Sequence, residues 1–123
     1  MNQAKLENTG SSYFIRRVTN YNEACIFGDI LGTEVLGDSD QYRESIRRND
    51  KLLDGNVCSI EKKGDQIIIS HDWIAPELEI KMSVTNFLEL LDEWDKIWIQ
   101  QPEELLLTWD GKQVHFQTIG EPL

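Results

Sequence analysis

Positive charge is scarce in this chain. It carries 12 Lys and Arg against 22 Asp and Glu in 123 residues, for a net charge of −10. That deficit argues against direct contact with nucleic acid or an anionic membrane, because phosphate groups are bound through cationic side chains. Cysteine is scarce as well: Cys25 and Cys58 stand apart with no C-x-x-C spacing. A thioredoxin-like pair is thereby excluded, and two reduced, packed thiols are expected. No apolar run is long enough to span a bilayer, and the polar opening from Met1 to Gly10 has no signal-peptide core. The expectation is a cytoplasmic protein without membrane contact. Internal repeats and low-complexity tracts are also lacking, so a chain of this length reads as one globular domain with its own core.

What the chain does have is an uneven distribution of acids. Residues 72–110 hold Asp72, Glu77, Glu79, Glu89, Asp92, Glu93, Asp95, Glu103, Glu104 and Asp110 against only Lys81 and Lys96, which is −8 of the net −10. Self-repulsion of this kind opposes compaction, so its use lies in association rather than in folding. It points to a basic partner.

The pattern along the chain predicts an α+β fold: a mainly antiparallel sheet of hairpins packed against one long amphipathic helix, with a second, shorter helix before it. Residues 1–11 are polar and unpatterned and read as a flexible arm ahead of a single domain over 12–123. Tyr13 to Val18 fits a strand. Between Asn20 and Asn56, Gly28, Gly32 and Gly37 break up the apolar pieces, and short strands or a glycine-punctuated loop are expected. Asp38-Ser39-Asp40 is a helix-starting cluster, followed by a helix through Arg48 whose Arg43, Arg47 and Arg48 either pair with neighbouring acids on a solvated face or form an anion or RNA site. Val57 to Lys62 and Gln66 to Trp73, joined at Gly64, form a hairpin. Glu77 to Val84 alternates, with Leu78, Ile80, Met82 and Val84 pointing inward. From Asn86 to Ile99, Phe87, Leu91, Trp94 and Trp98 recur at helical spacing, while Glu89, Asp92, Glu93 and Lys96 fall on the opposite face. After Pro102, a two-residue Asp110-Gly111 turn would set Leu107 opposite Val114 and Leu105 opposite Phe116, leaving Leu106 and His115 on the other face.

No catalytic set emerges. Gly28-Asp29-Ile30-Leu31-Gly32 lacks the Lys and Ser/Thr of a phosphate loop. Glu77 with Glu79, and Asp92 with Glu93, lie on wet faces where nothing raises one carboxyl pKa for acid catalysis. His71 and His115 lack the companion ligands that a metal requires, and pairing Cys25 or Cys58 with His71 as a nucleophile needs an activating setting. The expectation is a non-enzyme without cofactor or metal. Trp94 and Trp98 belong to the core; Trp73 and Trp109, near turns, are candidate contact aromatics.

The run Leu78-Glu-Ile-Lys-Met-Ser-Val-Thr-Asn-Phe-Leu-Glu-Leu-Leu-Asp-Glu-Trp94, followed by Gln101-Pro-Glu-Glu-Leu-Leu-Leu107, resembles in layout the small bacterial immunity proteins of contact-dependent inhibition and related polymorphic toxin systems. The resemblance covers residues 78–118 and carries over no individual functional residue. It implies an inhibitor that neutralises a basic toxin domain, such as a nuclease. The expected contacts are then Glu89, Asp92, Glu93, Glu103, Glu104 and Asp110, with Asp72, Glu77 and Glu79 next. Two other classes fit the same sequence: a self-associating structural or regulatory module, and a small-molecule binder with a cavity lined by Trp73, Trp94 or Trp109. Monomer and homodimer are equally compatible with it.

Overall fold

Alternation of apolar and polar residues sets most of the architecture. The computed structural model describes residues 2–15, 21–48, 53–54, 58–71 and 78–122, of which 53–54 and 120–122 by backbone alone. In chain order it has β1 (Asn2–Asn8), β2 (Tyr13–Ile15), α1 (Glu23–Asp29), a π-helical segment (Ile30–Val35), α2 (Ser39–Arg48), β3 (Leu53–Asp54), β4 (Cys58–Lys63), β5 (Gln66–His71), β6 (Glu79–Ser83), α3 (Val84–Gln100), β7 (Pro102–Trp109) and β8 (Val114–Pro122). The fold is α+β, with every described strand pairing antiparallel.

The strands form two sheets instead of the one expected, in the orders β2-β1-β7-β8 and β3-β4-β5-β6. Each has one apolar face. In the first, Ala4, Leu6, Tyr13, Leu105, Leu107, Trp109 and Val114 are buried, while the alternating Gln3, Glu7, Phe14 and His115 are exposed. In the second, Cys58, Ile60, Ile67, Ile69, His71, Ile80 and Met82 are buried, and they share a face because cross-strand partners point the same way. Leu78 and Val84 are half-buried and pack against this core.

Helices fill the space between these faces. Phe87, Leu90, Leu91, Trp94 and Ile97 turn the buried side of α3 inward, and the helix touches β5 and β6 of one sheet and β8 of the other. Ser83 starts it by accepting the Asn86 N–H at 3.0 Å, and Gln101, at φ 51°, ends it just before Pro102. No helix among the described residues is long and apolar enough to cross a membrane.

Three further expectations are corrected. Residues 2–8 are no loose arm: β1 lies inside the first sheet, pairing Asn2 to Trp109 through Glu7 to Glu104, and buries Ala4 and Leu6. Residues 23–35 are helical where strands or loop were expected. Asn22 caps α1 by accepting the Ala24 N–H at 2.9 Å, and Ala24 through Gly28 are all buried. The β7–β8 turn is longer than two residues, so Trp109 faces Val114 and Leu107 faces Phe116. Asp110 causes this: its Oδ1 accepts the N–H groups of both Lys112 and Gln113, which holds residues 110–113 out of the ladder. The register moves by two, so the apolar face is preserved.

Candidate functional site

Helix α3 carries Glu89, Asp92 and Glu93 on its solvent side, all exposed. Their surroundings differ. Arg43 reaches across from α2 and donates to Asp92 at 2.8 Å, Asp95 at 2.7 Å, Asp40 at 3.0 Å and the Ser39 hydroxyl at 2.8 Å. Burial disfavours the guanidinium, but these carboxylates outweigh it and raise the Arg43 pKa. Arg43 of the one basic concentration is therefore engaged within the molecule, while Arg47 and Arg48 pair with the same Glu44 and stay exposed. Glu93 pairs with Lys96 at 3.2 Å, an exposed contact worth little in water. Glu89 has no ion pair among the described residues.

Glu89 and Glu93, one helical turn apart, form a wall of an open groove between α3 and β8. Its volume is about 350 Å³, and Leu90, Val114 and Phe116 supply its apolar lining. Two side-chain bonds fix one end: Asn86 donates to the Lys112 carbonyl at 3.1 Å, and Gln113 donates to the Asn86 carbonyl at 2.8 Å. At the rim, His115 Nε2 lies 2.6 Å from Asp110 Oδ2. His115 and the Gln113 and Lys112 N–H groups hold the Asp110 carboxyl down at about 2. Asp110 is therefore a fixed negative charge over the whole physiological range.

The remaining expected contacts are dispersed. Glu104 pairs with Lys5 at 2.9 Å on the outer face of the first sheet, and Glu103 is exposed near it at the start of β7. Glu79 lies on the other sheet, 3.8 Å from Lys81. Asp72 and Glu77 lie outside the described residues, as does Trp73. Glu89 and Glu93 are thus the expected contacts that line one concavity, and Asp110 touches it only through His115. Trp94 is fully buried and Trp109 nearly so, and neither lines this groove or a second one of about 380 Å³ beside Lys81, Asn86 and Lys112.

One cluster has no signature in the sequence. Asp29, the last residue of α1, accepts a hydrogen bond from the Tyr21 hydroxyl and lies 3.7 Å from His71 Nε2, at the end of β5. The Tyr21 and His71 rings meet edge to face at 5.2 Å. Cys58, opposite His71 in the ladder, and Cys25 are buried, and burial pushes the Cys25 pKa up. With these groups packed together, the cluster is a clasp between α1 and the second sheet. Among the described residues no three His, Cys, Asp or Glu side chains converge as a metal would require.

The clasp has a pH signature. Burial raises the Asp29 pKa, with Tyr21 and His71 opposing. The folded state therefore holds the Asp29 proton more tightly than the unfolded chain, and this residue's contribution falls as pH rises from the ordinary carboxylate range through the raised value. Asp29→Asn removes that dependence. Its stability relative to the parent chain is expected to improve as pH rises from the ordinary carboxylate range through the raised value and to level off above it, read from urea midpoints at each pH; a pH-independent difference would refute it.

No protein-family model matches the chain, and searches of curated proteins and of solved structures find no match either.

Proposed function

We propose that this chain is a cytoplasmic inhibitor of the immunity type, binding a basic toxin domain such as a nuclease through acidic side chains and blocking it without chemistry of its own. The observation that carries this reading is the exposed acidic side of α3, Glu89 and Glu93 above all, in a chain of net charge −10. Acids presented on a rigid helix attract a cationic enzyme over long range and match the site where that enzyme would bind phosphates. Asp92 contributes less, because Arg43 already neutralises it.

The test is capture from the source cell's lysate, with the products of neighbouring genes included, at low and high salt. A stoichiometric basic partner released by salt is expected. Reversing Glu89 and Glu93 to lysine should slow its association at low ionic strength by about tenfold or more and flatten the salt dependence. Unchanged association kinetics would remove this face from the interface. A second reading, self-association, draws on Phe14, which is 53 % exposed on edge strand β2. A mass that rises with concentration, with no basic partner at either salt, would favour it.

A further inference from the structure

The four sheet edges are unequally protected. Edge strands expose a row of unpaired backbone groups, and proteins blunt them with short length, lysine, proline or bulges. Among the described residues, strand β2 spans three, β3 spans two, and β6 spans five with a lysine at its centre. Strand β8 has nine, carries no lysine, and has its proline at the far end. The pairing irregularity between β7 and β8 also lies at that far end, at Pro102/Glu104. From Val114 to Ile119 one side of β8 bonds to β7, and the other meets no strand among the described residues.

This open edge borders the groove that Glu89 and Glu93 overlook. Side chains alternate along a strand, so a strand added beside β8 would direct every second side chain toward α3. An arginine or lysine there can lay its methylene stem over Leu90 and Phe116 and bring its charge to Glu89 and Glu93. We propose that the β8 edge and this groove together dock an extended cationic segment of a protein partner as a fifth strand of the first sheet. The proposal rests on the inhibitor reading and specifies how the partner is held: main-chain bonds supply affinity, and the alternating cations supply selectivity. A second copy of the chain is a poor occupant. Antiparallel pairing of two β8 edges would set both α3 helices on one face with their glutamates toward each other, in molecules that each carry −10.

The test uses the 123-residue chain and a synthetic peptide of β8's own length that alternates arginine with valine. A second peptide of the same sequence, N-methylated at every residue, cannot donate main-chain hydrogen bonds. The first peptide is expected to slow amide exchange within Val114 to Ile119 and to shift Leu90 and Phe116 resonances. The methylated peptide should bind about tenfold more weakly or worse, as should the first peptide to E89Q/E93Q. Equal binding of the two peptides, or binding without slowed exchange at β8, would overturn the strand while leaving the acidic-surface reading in place. Failure of both peptides to bind would overturn this docking mode, and the lysate capture would then judge the inhibitor reading separately. A concentration-dependent dimer that protects the same β8 amides would place a second copy on the edge and overturn the proposal too.

Discussion

Trp94→Ala is expected to cost about 3–5 kcal/mol of stability, a large share of the roughly 5–15 kcal/mol that a domain ordinarily has in hand. Trp94 is fully buried and is the hub of the aromatic packing, with Tyr13 at 5.7 Å, Trp98 at 6.2 Å and Phe116 at 6.3 Å between ring centroids. Those rings come from β2, α3 and β8, so its removal opens a cavity where the first sheet meets the helix. The indole also has a polar task. Its Nε1–H donates to the Leu36 carbonyl at 2.8 Å, securing a leucine held at φ 50°, where non-glycine residues are uncommon. Trp94→Phe keeps most of the burial and loses that bond, so a cost nearer 1–3 kcal/mol is expected. Urea denaturation followed by far-UV circular dichroism separates the two, since the alanine variant should lower the midpoint by roughly 2 M. An alanine variant within 1 kcal/mol of the parent chain would mean that the core does not depend on this residue.

How far the sequence reveals this fold depends on whether the deciding contacts are local. Helix α3 is legible because its apolar stripe, its Ser83 cap and Pro102 all lie within one stretch of chain. The β4–β5 hairpin is legible for the same reason. Strand β1 is not, because Asn-Gln-Ala-Lys-Leu-Glu-Asn shows only Ala4 and Leu6 as inward residues, and its partner β7 lies at the other end of the chain. Helix α1 is hidden differently. Ala24 to Gly28 are buried on all sides, so no polar face marks the helical period.

The candidate site divides along the same line. Charge is visible in composition, so the acids of α3 are found without the structure. Their pairing is not: that Arg43 from α2 neutralises Asp92 and Asp95, leaving Glu89 and Glu93 as the more available pair, depends on how two helices pack. The Tyr21–Asp29–His71 clasp likewise joins residues with no common motif, and the open edge of β8 follows only from strand order. The groove therefore belongs to tertiary structure, although the residues lining it lie on two elements the sequence predicts.

The glycines of residues 28–37 show how a correct composition signal can be given the wrong cause, and Gly32 provides the second large prediction. In the sequence they resemble loop punctuation; in the fold they are points of close approach. A Cβ on Gly32 would lie 2.2 Å from the Tyr13 carbonyl oxygen and 3.0 Å from its carbon, both backbone atoms of β2. At Gly28 the nearest atom is instead the end of the Leu6 side chain, which can turn aside. Gly32→Ala must push the π-helical segment off β2 or pull β2 from β1, and no rotamer change relieves it. The expected cost is about 3 kcal/mol or more, at the upper end of overpacking effects. Gly28→Ala should cost less, because a side chain gives way more readily than a strand. Thr33→Ala, one residue on and solvent-exposed, should stay within about 0.5 kcal/mol and controls for helix propensity. If Gly32→Ala instead matched Thr33→Ala in urea, the segment could shift away from β2 freely, and the glycine would serve the chain as a breaker after all.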